Sequence, residues 1–216
     1  MEQKTLTSVQ KTIINKVAGE PKLADFYLTG GTALAAYYFH HRISDDLDFF
    51  SFSEPDTFFI HEFVNKLKVE LAAKTVRFEK LHDRNQFYFA LDGEEIKVEF
   101  TKYPFRQLEN PKIVEQLKID SLRDIGANKL MAVLERFDPK DFVDLYYLLE
   151  SAELEIIRKD AEIKFGVKIG GIFLGGELAK VRRIEGLPKM LKPLTIDELK
   201  SFFSQQIKKL SPEILK

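Results

Sequence analysis

The stretch FYLTGGTALA, residues 26–35, followed by RISDDLDFF, residues 42–50, decides how this chain is read. Phe26 to Thr29 reads as a short apolar strand that stops at Gly30-Gly31. Ala33, Leu34, Ala35 and Ala36 then favour a helix from Thr32 to about His40. Leu47 to Phe52 reads as the next strand. On extended chain, residues two apart share a face, so Asp46 and Asp48 project together while Leu47 turns to the core. Side-by-side carboxylates repel unless a cation lies between them. A hard cation, Mg²⁺ or Mn²⁺, suits that position, because it takes carboxylate and phosphate oxygens together. The glycines let backbone N–H groups approach a phosphate beside a helix N-terminus. Taken singly, Asp-x-Asp is also a common solvated strand edge, and Gly-Gly a common tight turn. Strand, double glycine, helix and then Asp-x-Asp on the next strand is a much rarer combination.

Working outward, Thr7 to Val17 carries Val9, Ile13, Ile14 and Val17 at helical spacing, and Gly19-Glu-Pro21 ends it. Pro55 or Asp56 opens a helix that runs to about Ala73. Three strands follow: Thr75 to Leu81, Gln86 to Leu91 and Glu95 to Thr101. In the last, Ile96, Val98 and Phe100 face one way, and Lys97, Glu99 and Thr101 the other. Tyr103-Pro104 and Asn110-Pro111 mark a connecting segment. Helical patterning then takes over. Ser121 with Asp124 resembles a capping box, and Asp138-Pro139 is a helix start with proline at the first helical position. Gly166 to Gly176 reads as a helix junction, since its spacing does not fit a phosphate loop. The fold class is therefore α+β. A mixed-sheet domain over 1–118 precedes a helical domain over 119–216.

Composition sets limits. The chain has 216 residues, 44% apolar and 31% charged, with 19 phenylalanines to build a core. It has no cysteine, which excludes disulfides, thiolate zinc sites and cysteine nucleophiles. Met1 to Lys16 lacks a signal-peptide core, and the apolar run Ile169 to Leu174 is too short to span a bilayer. A soluble, cytoplasmic protein with no membrane partner is expected. Net charge is −1, yet from Lys164 onward Lys164, Lys168, Lys180, Arg182, Arg183, Lys189, Lys192, Lys200, Lys208, Lys209 and Lys216 outweigh Glu177, Glu185, Asp197, Glu198 and Glu213. Such a basic flank suits a polyanion such as RNA, although charge alone favours an ordinary solvated helical surface. The phenylalanines Phe49, Phe50, Phe52, Phe58, Phe59 and Phe63 are expected as core packing. His40-His41 is expected as a helix-end cation. Tyr146-Tyr147 is expected to bury at least one ring.

The Gly-Gly and Asp-x-Asp layout resembles the nucleotidyltransferase superfamily that includes DNA polymerase β. LTGGTALA (28–35) and RISDDLDFF (42–50), with DIGANKLMA (124–132), Arg136 and KDFVDLYYLL (140–149), resemble more closely the AbiEii/AbiGii toxin family and related mycobacterial toxin nucleotidyltransferases. The resemblance covers about Phe26 to Leu149. It implies a nucleotidyltransferase fold that moves an NMP from an NTP to an acceptor. Gly30, Gly31 and Thr32 would hold the triphosphate over metals bound by Asp46 and Asp48. Glu99 would be a third ligand, although a solvent-facing Glu99 fits the strand equally well. Lys129 would reach the triphosphate, with Asp144 orienting Lys129 or the acceptor hydroxyl. Asp141 could instead pair with Lys140 or Arg136. Arg42 could clamp a phosphate, and Ser44 is a candidate for self-modification. Lys129, Arg136, Asp141 and Asp144 could also form a purely structural ion-pair network. The implied role is the toxin of a bacterial toxin–antitoxin or phage-defence system, acting on RNA (tRNA) or a protein hydroxyl and paired with a cognate antitoxin. The alternatives are a catalytically silent nucleotide- or partner-binding relative, and a small-molecule (antibiotic) nucleotidyltransferase.

Overall fold

The structure, a computed structural model, describes residues 5–214. Lys4 and Lys216 lie outside the described residues, as does the side chain of Glu213. The chain forms two compact units. The first comprises the described part of Met1–Ala36 with Ser44–Arg106 and Asn110–Asp120. The second comprises Tyr37–Ile43, Gln107–Glu109 and the described part of Ser121–Lys216.

The first unit is built on a mixed sheet of β1 (Tyr27–Thr29), β2 (Leu47–Ser51), β3 (Thr75–Leu81), β4 (Arg84–Ala90), β5 (Glu95–Lys102), β6 (Lys112–Val114) and β7 (Leu117–Ile119). Its strand order is β3-β4-β5-β2-β1-β7-β6. β2 lies antiparallel to β1 and parallel to β5, with Thr29 opposite Asp48 and Asp48 opposite Glu99. β6 and β7 arise just after the segment expected as a connection. They are only three residues each, too short for periodicity to reveal. Helix α1 (Ser8–Ala18) opens with a reciprocal capping box between Thr7 and Gln10. The helix after the double glycine differs from the expected one. It begins at Gly30 as α2 (Gly30–Leu34) and continues as a π-helical turn over Ala35–Phe39. α3 (Thr57–Glu70) is capped by Asp56, whose Oδ1 accepts from Phe59 N at 3.0 Å.

Alternation on β5 buries Ile96, Val98 and Phe100. The Phe100 ring stacks on Phe49 at 5.5 Å and meets Phe26 edge-on at 5.3 Å. Phe49, Phe59 and Phe63 are buried as expected, whereas Phe52 and Phe58 are exposed. Phe52 follows the end of β2, and Phe58 sits on the outer face of α3.

The second unit is helical: α4 (Leu122–Glu135), α5 (Pro139–Leu149), α6 (Leu154–Phe165), α7 (Gly171–Leu178) and α8 (Ile196–Ile214). Ser121 caps α4 through its Oγ, and Asp138 caps α5 with Pro139 at the first position. Gly166 ends α6 at φ 66°, in the left-handed conformation glycine adopts without steric cost. Asp124 turns from the cap to a wider duty. It is buried, accepts from Leu108 N and Glu109 N, and pairs at 2.6 Å with the buried ammonium of Lys164. No helix among the described residues is long and apolar enough to cross a membrane.

Phe100→Ala is expected to cost about 3–5 kcal/mol of stability, because it opens the aromatic core. Phe58→Ala, on the exposed ring, is expected to change stability by no more than about 0.5 kcal/mol. Guanidinium denaturation of the two variants checks this contrast.

Candidate active site

Asp46 immediately precedes β2, and Asp48 lies on it. The pleat turns both to one face while Leu47 is fully buried behind them. Their carboxylates converge on one point, the ammonium of Lys97. Nζ lies 3.3 Å from Asp46 Oδ2, 3.5 Å from Asp48 Oδ1 and 3.6 Å from Glu99 Oε2. Lys97 reaches this point because its position on β5 shares the polar face with Glu99. Burial pushes the Asp48 carboxyl up, as do the neighbouring Glu99 and Asp46, against the pull of Lys97. Burial alone would lower the Lys97 ammonium, yet Asp48, Asp46 and Glu99 together hold it above its ordinary value.

The double glycine has a steric reason. Gly30 adopts φ 70°, and a Cβ there would lie 2.7 Å from Asp48 Oδ2. Only glycine lets the bend and the carboxylate share that space. Thr32, buried in α2, donates its hydroxyl to the Asp46 carbonyl. Thr29 Oγ1 donates to the buried Asp120 at 2.7 Å. Gln10 is a residue the sequence reading missed. Its amide donates to the Ser44 and Asp45 carbonyls at 2.7 and 3.2 Å, so α1 holds the chain that leads into Asp46. Nothing in its spacing separates it from an ordinary helix residue.

Three of the singled-out residues have protein surroundings that the sequence did not reveal. Glu99 is fully buried with both oxygens engaged, by Arg84 at 2.6 and 2.8 Å, Thr101 at 2.6 Å and Gln86 at 2.9 Å, so the solvent-facing alternative is not what forms. Ser44 is buried. Arg42, in the helical unit, is also buried. It donates Nε and Nη2 to Asp144 at 2.7 and 2.8 Å and Nη1 to the Ile43 carbonyl.

A divalent cation fits Asp46 and Asp48 in chemistry: two hard oxygen donors, 47% and 21% exposed, converge on a position that a cation already fills. Among the described residues, no three His, Cys, Asp or Glu side chains form a ready-made cage.

In the helical unit, α4 supplies Lys129 and α5 supplies Asp141 and Asp144. Lys129 Nζ lies 2.9 Å from Asp141 and 2.6 Å from Asp144, and Arg136 Nε lies 2.8 Å from Asp141. Burial opposes charge on Asp144, but Lys129 and Arg42 hold its carboxyl far below the usual range. Lys129 is likewise held up by Asp144 and Asp141 against its burial. His41 was expected as a helix-end cation. Burial instead pushes its imidazole down, toward neutrality, and Nε2 lies 2.8 Å from Asp144. Tyr147 is buried beside it, with ring centroids 4.7 Å apart.

Gly30→Ala is expected to destabilise the protein more than Gly93→Ala, by about 1–3 kcal/mol. Both glycines have positive φ, but only Gly30 meets an atom that a Cβ would displace. Urea denaturation of the pair isolates the Asp48 contact. Asp144→Asn is expected to cost about 3–5 kcal/mol, since it leaves Arg42 and Lys129 buried without their partner. An unfolded aspartate titrates near about pH 4, and the native Asp144 well below that. The loss relative to wild type is therefore full above about pH 4 and shrinks as pH falls further, a trend that denaturation series across acid pH will read.

A family model described as "Nucleotidyl transferase AbiEii toxin, Type IV TA system" matches residues 17–213. An uncharacterised Aquifex aeolicus protein, aq_aa25, is 38% identical over 148 residues, 67% of each chain. Among solved structures, a candidate nucleotidyltransferase from Helicobacter pylori superposes with a TM-score of 0.62 at 18% identity, covering 94% of both chains. MenT4, nucleotidyltransferase toxin Rv2826c of Mycobacterium tuberculosis, superposes with a TM-score of 0.53 at 13% identity, covering 93% of this chain and 89% of its own. These likenesses establish the fold, and the family match over nearly the whole sequence establishes more: the chain is a member of the AbiEii family of nucleotidyltransferase toxins.

Proposed function

We propose that this chain transfers a nucleoside monophosphate from a nucleoside triphosphate to a hydroxyl acceptor, with Mg²⁺ or Mn²⁺ held by Asp46 and Asp48. The observation that carries this reading is the convergence of those two carboxylates on one cation position, beside a glycine at positive φ whose Cβ would displace the Asp48 carboxylate. When bound, the divalent ion supplies Lewis-acid activation of the attacking oxygen and charge compensation for departing pyrophosphate. Asp48, packed under Gly30, and Asp46, half exposed, are the two carboxylates that would hold the ion. Gly30, Gly31 and Thr32 are assigned to the triphosphate, with backbone N–H groups as donors. Lys129 is assigned to the negative charge that develops on the phosphates, and Asp141 and Asp144 keep it protonated and oriented.

The acceptor in this reading is RNA, tRNA in first place, with a protein hydroxyl as the other class. Arg182, Arg183, Lys189 and Lys192 are exposed on the helical unit and support a polyanionic acceptor. The biological setting is a cytoplasmic toxin of a toxin–antitoxin or phage-defence pair, restrained by a cognate antitoxin.

Incubating the protein with α-labelled triphosphates, Mg²⁺ or Mn²⁺ and total tRNA tests this. Label is expected in RNA or protein, and Asp46→Ala or Asp48→Ala is expected to lower it by about a hundredfold or more. Metal-dependent triphosphate binding without transfer to any acceptor would mark a silent relative. Transfer to an added aminoglycoside alone would mark an antibiotic-modifying enzyme.

A further inference from the structure

We propose that Lys97 is a built-in counter-ion that competes with the divalent cation for Asp46 and Asp48. The inference rests on the metal reading above and concerns how the site is held before metal arrives. On adjacent strands, the face that carries Asp46, Asp48 and Glu99 also carries Lys97. Three carboxylates within reach of one another repel strongly where water is scarce, and the ammonium sits among all three. Arg84 pairs with Glu99 through two hydrogen bonds and acts on Asp48 more weakly than Lys97 does, while Lys97 lies beside both aspartates.

The distances separate this contact from the fixed ion pairs of the same molecule. Lys97 Nζ stands 3.3–3.6 Å from its carboxylates, with one long hydrogen bond, to Asp46. Lys129 stands at 2.6–2.9 Å and Lys164 at 2.6 Å from theirs. Lys97 is thus a charge shared among three carboxylates and held more loosely than those ammonium groups, on a four-carbon stem that is 17% exposed and can swing outward. Formal charges sharpen the point. Asp46, Asp48 and Glu99 against Lys97 and Arg84 leave the cluster at −1. Removing Lys97 makes it −2, a stronger trap for a divalent ion and a less stable apo protein.

The test measures Mn²⁺ binding to the full chain without nucleotide, from the loss of the free-ion electron paramagnetic resonance signal. Lys97→Met is expected to bind Mn²⁺ at least about tenfold tighter than wild type. Lys97→Arg, which keeps the charge, is expected to bind no tighter than wild type. Metal-free Lys97→Met is expected to melt below wild type and to recover when Mn²⁺ is added. Equal or weaker Mn²⁺ binding by Lys97→Met overturns the proposal. Wild-type binding that is lost in Asp48→Ala but unchanged in Lys97→Met overturns the role of Lys97 and leaves the metal reading standing. No binding in wild type or Lys97→Met overturns both. Should Lys97→Met not fold, ¹³C-methylated wild-type protein gives the same decision. The Lys97 methyl resonance, assigned by its absence in Lys97→Arg, is expected to move toward that of free lysine on addition of Mg²⁺. An unmoved resonance counts against displacement.

Discussion

Carboxylates set side by side on neighbouring strands need positive charge close by, and this need organises the sheet unit around its centre. Strand register fixes the problem in place: Thr29 faces Asp48, and Asp48 faces Glu99. A slip of one residue would send the acids into the core and Leu47 and Phe49 into solvent. The fold answers with Lys97 and Arg84 among the acids, Gly30 giving Asp48 room, and Thr32 and Gln10 holding the chain just before β2. The aromatic core around Phe100 supports β2 and β5 from behind, on the opposite face of β5 from Glu99. Local stiffness and local charge are thus two sides of one arrangement.

The helical unit answers the same physical question differently. Asp144 is sealed from water and takes hydrogen bonds from Arg42 and His41 together with the ammonium of Lys129. Its partners sit at full hydrogen-bonding distance, so the network is rigid and strongly ionised. The alternative raised from sequence, an ion-pair network of Lys129, Arg136, Asp141 and Asp144, is what forms within this unit. A buried ammonium held by two carboxylates keeps its proton and its direction.

The fold class was legible because it is written in periodicity and punctuation. Alternation in Glu95 to Thr101, the Gly30-Gly31 break and the Asp138-Pro139 start each leave a local mark. The convergence of Asp46 and Asp48 was legible for the same reason, since a two-residue spacing on a strand fixes the face. What escaped depends on partners distant in sequence. Gln10 looks like any polar helix position until its amide meets the Ser44 carbonyl. Lys97 was visible on the polar face of its strand, but its role needed β2 beside β5. The resemblance implies Glu99 as a third ligand and Arg42 as a phosphate clamp, and says nothing of the protein groups beside them. Tertiary structure brings Arg84 to Glu99 and Asp144 to Arg42. Burial, which no spacing encodes, sets the surroundings of His41 and Ser44.

The proposed transfer chemistry requires Asp46 and Asp48 to hold a divalent ion together. Anomalous diffraction from crystals grown with Mn²⁺ and a non-hydrolysable triphosphate examines this directly. An anomalous peak about 2.1 Å from carboxylate oxygens of both Asp46 and Asp48, touching the triphosphate, is the predicted result. Ordered triphosphate with manganese bound elsewhere, and neither aspartate in contact with it, would contradict the account.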